Sequence, residues 1–255
     1  MRKYLMAIKD EIRRERQAVM KHGTPKDKWN YFKDYYLLRT IIVIVIIALA
    51  THFIYDTVTR PDVVLNGIFL NTFNFDKVDD SAAGLEEEFT KHLNLSSEYE
   101  VSFSSNLTLT GNAAQDYQAS QAMTVQIAAE QLDFVVSPLN IILDYGYGGM
   151  LAGLEEILTP EQMETYKPYF LYIDMAVYEA RNEAADQGQD VKDIPLPDPT
   201  KPDAMEKPLP VLIDISKCEK LKSIYAYDFG TLTFGISSTA PHPDNICKFI
   251  DFLFQ

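Results

Sequence analysis

Residues 35–55 carry one formal charge, Arg39, around the run Ile41-Ile-Val-Ile-Val-Ile-Ile-Ala-Leu-Ala50. A helix needs about 20 apolar residues to cross the hydrocarbon of a bilayer, so this 21-residue segment constrains the chain more than any other feature. Tyr35, Tyr36 and Tyr55 stand at its two ends, where amphipathic rings favour the headgroup level. Arg39 lies one turn in and can reach back to the aqueous side along its own stem, and His52 is near the opposite interface. A buried strand is one rival reading, because Ile and Val dominate; the uninterrupted length and the flanking charges fit a span better. Cleavage is the other, since Ala48-Leu49-Ala50 has the small-residue pattern of a processing site. The region before it is about 40 residues and the apolar core only about seven, which suits a signal peptide poorly. No cysteine stands near the segment, so the anchor is the helix and not a lipidated thiol.

Charge divides at the same place. Through Arg39 the chain has 11 basic and 5 acidic residues, a net of +6, whereas the remainder carries 12 and 32, a net of −20. The Lys/Arg bias keeps the first part inside the cell and sends the acidic part outside. A nucleic-acid-binding face needs a basic surface, which the large acidic part does not offer. In the tail, Leu5, Ile8 and Ile12 recur at helical spacing with Val19 and Met20 on the same side, while Arg13, Arg14, Arg16 and Lys21 occupy much of the rest. Gly23 and Pro25 end that helix. It reads either as a basic amphipathic helix on anionic lipid or as a topogenic tail without a partner. Trp29, Tyr31, Phe32, Tyr35 and Tyr36 read as an interfacial belt. The organisation is therefore a basic cytoplasmic tail over 1–34, a transmembrane helix over 35–58 and an extracellular domain over 59–255, which begins with a stalk at Thr59-Arg-Pro-Asp62.

Beyond the stalk the pattern alternates. Residues 63–70 form a buried-strand run, and 81–93 a helix with Leu85, Phe89 and Leu93 on one face and Asp80 or Ser81 as cap. Residues 99–105 alternate as a strand; 113–131 are helical with Tyr117, Met123, Ile127 and Ala128 inward; 133–137 are a short strand stopped by Pro138. This β-α-β-α-β order predicts an α/β fold with a mostly parallel sheet flanked by helices. The chain is then mostly helical over 139–145, 150–158 and 160–185, with Thr159 as cap and Pro160 at the first position of the last. Six prolines between 195 and 210 mark an extended, exposed connection. Strand patterns at 210–215 and within 224–236 precede a closing helix over 243–254.

Three segments resemble the extracellular solute-binding proteins of ABC importers, the type II periplasmic-binding fold. They are Thr124-Val-Gln-Ile-Ala-Ala-Glu-Gln-Leu-Asp-Phe-Val-Val-Ser137, Tyr147-Gly-Gly-Met-Leu-Ala-Gly-Leu-Glu-Glu-Ile-Leu158, and Phe234-Gly-Ile-Ser-Ser238 followed by Pro243-Asp-Asn-Ile-Cys-Lys-Phe-Ile-Asp-Phe-Leu253. The order of these segments carries the resemblance, over 63–158 and about 210–253. It implies a periplasmic-binding-protein-like lobe that binds a solute. Family members close two lobes on ligand, whereas here only residues 159–209, one helix and a Pro-rich connection, occupy the place of the second lobe. A segment of that size buries little core. The basic tail, span and stalk are in turn similar to membrane proteins of Gram-positive bacteria.

Open parallel sheets meet ligands at the carboxyl ends of their strands. The loops there offer Phe73 and Asn74, then Asn106 and Thr108, then Ser137 and Asn140, with Tyr145 and Tyr147 nearby to stack on a sugar or peptide. The same residue types also cap ordinary strand-to-helix turns. Gly146, Gly148 and Gly149 lack the spacing of a phosphate loop and belong to a turn. Catalysis has little support: His92 and His242 read as surface residues, and no nucleophile elbow, zinc-protease or Cys-x-x-Cys motif occurs. The acids within 186–203 lack EF-hand spacing. Neither metal nor cofactor is expected. Cys218 and Cys247 read either as an extracellular disulfide or as two separately buried thiols. Asn94-Leu-Ser and Asn106-Leu-Thr match glycosylation sequons. The expected function is a non-enzymatic, membrane-displayed lobe binding a small ligand or a membrane protein partner, with lipid as the partner of the span and no nucleic acid. The alternative is a scaffold or regulatory component of a membrane complex.

Overall fold

The computed structural model describes residues 13–255 other than 15, 16, 18, 19, 73–81, 111, 112 and 226–229. Two compact units divide the chain, Met1–Arg60 and Pro61–Gln255. In the first, Thr24 caps helix α1 (Pro25–Tyr35) through a reciprocal pair: its backbone N–H donates to Asp27 Oδ2 at 2.9 Å and its Oγ1 accepts from Asp27 N–H at 3.3 Å. Tyr36, at φ −122° and ψ −23°, interrupts the helical geometry before α2 (Leu37–Thr59) begins. Residues Leu37–Tyr55 are long and apolar enough to cross a membrane, and none of this stretch is buried within the protein. At 1.5 Å per residue it is about 28 Å long, close to one hydrocarbon core. Leu5, Ile8, Ile12, Arg16 and Val19 of the tail lie outside the described residues.

The second unit runs β1 (Asp62–Phe69), α3 (Ala83–Leu93), β2 (Tyr99–Ser104), α4 (Ala113–Ala128), β3 (Phe134–Pro138), α5 (Leu139–Tyr147), α6 (Leu154–Ile157), α7 (Pro160–Tyr166), β4 (Phe170–Asp174), α8 (Met175–Asp186), β5 (Pro208–Asp214), β6 (Leu232–Ile236) and α9 (Pro243–Leu253). The Asp80 and Ser81 caps read for α3 lie outside the described residues. The strands form a six-stranded sheet ordered β2-β1-β3-β6-β5-β4. β1 pairs parallel with β2 and β3, but β3–β6, β6–β5 and β5–β4 are antiparallel. The expected mostly parallel sheet is thus corrected to a mixed one. The β-α-β-α-β run does produce the parallel half; beyond β3 the strands return without parallel crossovers. A fully buried strand reads the same in either direction, so its pattern does not report its partner's direction.

A second correction concerns residues 159–209. The helix read over 160–185 is two helices, α7 and α8, with a 3₁₀ turn at Lys167–Tyr169 and the edge strand β4 between them. Pro168 has no N–H for a continuing helix, and Phe170-Leu-Tyr-Ile173 is aromatic and β-branched. This segment belongs to the one sheet instead of standing in for a second lobe. The Pro-rich connection then follows the outer edge of β4, where Tyr172 N–H donates to Pro199 O at 2.9 Å. An otherwise open sheet edge is covered there.

Alternation along the strands divides the core between the two faces of the sheet. Phe69, Phe103, Phe134 and Phe234 pack with Phe89 of α3 and Phe249 of α9. Phe134 lies at the centre, stacked on Phe234 and Phe249 at 4.8 Å and edge-on to Phe69 at 5.8 Å. Its ring also covers Gly67 of the neighbouring strand so closely that a Cβ there would collide with it. On the other face Ile68 and Val135 pack with Met123 and Ile127 of α4 and Ile142 and Tyr147 of α5.

Candidate functional site

β1 and β3 are neighbours whose carboxyl ends lead to opposite faces, β1 toward α3 and β3 toward α5. That reversal is where an open α/β sheet offers a crevice to a ligand. Here the crevice is filled from within. The Tyr225 hydroxyl lies 2.9 Å from Leu70 O and 3.2 Å from Val136 O and donates to this pair of carbonyls. Burial pushes its phenol well above the ordinary tyrosine range. Beside it, Thr233 Oγ1 donates to Ser137 O at 2.8 Å, and Leu70 N–H donates to Val136 O at 2.8 Å.

The open space is displaced along the same end of the sheet, between the first turns of α4 and helix α5. This cleft, of about 490 Å³, is lined by Tyr117, Ser120, Asn140, Asp144 and Tyr145 together with Leu109 and Ile141. Ser120 Oγ and Tyr145 Oη are hydrogen-bonded at 2.9 Å, which ties the two helices across the cleft. Asp116 holds the loop before α4, its Oδ1 accepting from Thr110 N–H and Oγ1 at 2.8 and 2.9 Å. Asp144 receives Arg181 Nη2 at 3.1 Å, and the same guanidinium lies 5.6 Å from the Tyr147 ring centroid. Carboxylates, hydroxyls, an amide and two tyrosines line this cleft with no cationic side chain among the described residues. Such a lining suits a neutral hydrogen-bonding compound and repels an anion.

Of the residues expected at the strand ends, Asn140 and Tyr145 meet in the cleft. Asn106 and Thr108 are exposed in the loop after β2, with Asn106 Oδ1 accepting from Ser104 Oγ at 2.8 Å. Ser137 is fully buried, and its Oγ donates to Pro138 O at 3.2 Å. Tyr147 is core: its hydroxyl accepts from Asp174 N–H at 3.0 Å, and burial raises its phenol. Phe73 and Asn74 lie outside the described residues. Sequence reasoning missed Ser120 and Asp144, and it turned Tyr117 inward, whereas Tyr117 is 65% exposed at the cleft. The Ala- and Gln-rich composition of α4 leaves its helical phase weakly defined, so a single aromatic residue is a poor guide to its inner face.

The larger concavity, about 990 Å³, lies between α7 and α9, and Gln162, Tyr166 and Asp251 in its lining bond one another. Gln162 Nε2 and Tyr166 Oη both donate to Asp251 Oδ1 at 2.8 Å, and the Phe254 ring lies tilted against Tyr166 with centroids 4.7 Å apart. Burial, then the Asp251 hydrogen bond, lifts the Tyr166 phenol above its ordinary range.

His242, with its side chain 32% exposed, is partly at the surface and also has a structural role. Its N–H and Nδ1 lie 2.8 and 3.0 Å from Oδ1 and Oδ2 of the fully buried Asp133, whose Oδ2 also accepts from Asn66 N–H at 2.7 Å. One carboxylate thereby joins β1, the residue before β3 and the start of α9. His92 is exposed, stacks on Phe89 and lies tilted against Phe252. Cys218 and Cys247 are separate free thiols. Burial, reinforced by Asp214, pushes Cys218 up to about 11, and Cys247 Sγ donates to Ile157 O at 3.4 Å. Gly148 and Gly149 form the expected turn, their N–H groups donating to Tyr145 O and Gly146 O, with Gly149 at φ +72°. Among the described residues no group of three or more His, Cys, Asp or Glu is placed to hold a metal ion. Compared with protein-family models, curated proteins and solved structures, the chain finds no match.

Proposed function

We propose that this chain is a single-pass membrane protein, with its basic end cytoplasmic, that displays Pro61–Gln255 outside the cell as a single solute-binding-protein-like lobe. The lobe binds a small ligand in the α4–α5 cleft and catalyses no reaction. The observation that carries this reading is the convergence of Asn140, Tyr145, Ser120 and Tyr117 on an open cleft at the strand-end side of the sheet. The apolar stretch of α2, none of it buried within the protein, and the reversal of charge across it support the location. The test is a thermal-shift screen of the full chain in nanodiscs against sugars, amino acids and short peptides. A ligand at a hundred times its Kd stabilises by about 2.7 kcal/mol, a readily measured rise in Tm. The rise should vanish in Asn140→Ala and Tyr145→Ala. No shift from any class, together with an empty crosslinking pull-down, overturns the reading.

The Tyr225 plug favours a second reading, in which the lobe is a scaffold or regulatory part of a membrane complex and has given up ligand capture. Replacing α2 with an unrelated span distinguishes the two. It abolishes function in the scaffold case and leaves ligand binding intact in the receptor case.

A further inference from the structure

Helix α1 has its own polarity. Trp29 and Phe32, three residues apart and therefore on one face, are stacked with ring centroids 5.8 Å apart, and Trp29 is 62% exposed. Lysines border this face on both sides. At 100° per residue Lys28 falls beside Phe32, while Lys26 and Lys33 fall beside Trp29. Asp27, Asn30 and Asp34 repeat at i, i+3 and i+7 on the opposite face. Asp27 is engaged there by the Thr24 cap, whose hydrogen bonds hold its carboxyl below the usual range. Tyr31 takes no part in the exposed face, being buried against Tyr35 and Tyr36 at 4.7 and 6.0 Å.

We infer that α1 lies along the anionic lipid surface on the cytoplasmic side, with Trp29 and Phe32 in the headgroup layer and Lys26, Lys28 and Lys33 on lipid phosphates. This rests on the reading of α2 as a membrane span. An amphipathic helix with aromatic residues flanked by lysines binds an interface by burying the rings and pairing the cations. Covalent continuity selects lipid over a protein partner, because only Tyr36 separates α1 from α2. The face is therefore held at the membrane surface whenever α2 spans. Charge complementarity points the same way: the lysines border the rings and the acids stand opposite.

Trp29 is the only tryptophan in the chain, so its emission reports this helix alone. The full chain is reconstituted into phosphatidylcholine vesicles with and without phosphatidylglycerol, and into the same vesicles containing lipids brominated near the headgroup. The expected result is blue-shifted emission and quenching by the shallow bromines, both stronger with phosphatidylglycerol and weakened by added salt. In the combined variant Lys26→Gln, Lys28→Gln, Lys33→Gln the dependence on phosphatidylglycerol is lost; Asp34→Asn retains it. Water-like, unquenched emission from protein that resists alkaline extraction overturns the inference and leaves the span standing. Equal quenching in both vesicle types overturns the assignment of the lysines to lipid phosphates. Release of the protein by alkali overturns the span and this inference together.

Discussion

Asp174 shows how much a single side chain can hold in this fold. It is buried at the junction of β4 and α8, where Oδ1 accepts from the N–H groups of Ala176 and Lys207 at 3.0 Å and Oδ2 from Glu206 N–H at 2.8 Å. One carboxylate thus caps α8 and fastens the end of the Pro-rich connection. Burial pushes its pKa up, but the three backbone donors and the nearby Lys207 outweigh it and hold the carboxyl below its ordinary value. A depressed folded-state pKa contributes stability that is present above the unfolded value, near 4, and is lost as pH falls through the folded value. Asp174→Ala should therefore cost about 2 kcal/mol at neutral pH, from three orphaned donors that water partly re-satisfies. In thermal melts of the wild type and the variant from pH 7 to pH 2.5, the gap should narrow only at the acid end. A gap that stays constant throughout shows that the carboxylate charge plays no part. Asp133 likewise ties distant backbone together, its carboxylate accepting from the N–H groups of Asn66 and His242. Only the Asp174 cap on Ala176 is local; its other partners stand 32 and 33 positions away, and those of Asp133 67 and 109.

At the scale of elements, local chemistry predicted well wherever it acts locally. Thr159 and Pro160 read as a helix start, and the structure has a full capping box there, with Gln162 N–H donating to Thr159 Oγ1 at 3.2 Å and Gln162 Oε1 accepting from Thr159 N–H at 3.3 Å. Thr159→Ala should lower stability by about 1 kcal/mol, measured as a drop in Tm, while Thr159→Ser should be nearly silent. Equal losses in the two variants argue that the methyl group and not the hydroxyl matters. The same reading failed ten residues later. Met175 to Ala185 continues a helical composition, and β4 between the two helices was absorbed into one long helix. Pro168 carried the signal, since a proline in mid-helix both removes a donor and clashes with the preceding turn. At the cleft, α5 was placed correctly and supplies Asn140 and Tyr145; on α4 Met123 and Ile127 face inward as read, whereas Tyr117 and Ala128 are exposed. The plug at the switch point comes from Tyr225, which lies 155 residues from Leu70 and belongs to no recognisable motif.

For the molecule as a whole, the two units divide just beyond the apolar helix, which stays with the first. Arg60 ends the first and Pro61 begins the second. The membrane reading predicts that protease added to intact spheroplasts degrades the Pro61–Gln255 unit and spares a membrane-bound fragment containing residues 1–60. Full degradation without any protected fragment, or full protection, contradicts the inside-to-outside orientation. What the sequence alone determined are sums over neighbouring residues: an apolar stretch long enough to span, a basic flank against an acidic bulk, the first three strands with their two crossover helices, and the closing amphipathic helix. These depend on contacts within a few residues, so they can be read without knowing the fold. The antiparallel half of the sheet, the position of β6 between β3 and β5, the edge strand β4 and the occupation of the switch point by Tyr225 were decided only in three dimensions. Strand direction and neighbour order depend on which distant segments bury one another's faces, and buried apolar strands look alike in sequence whichever way they run.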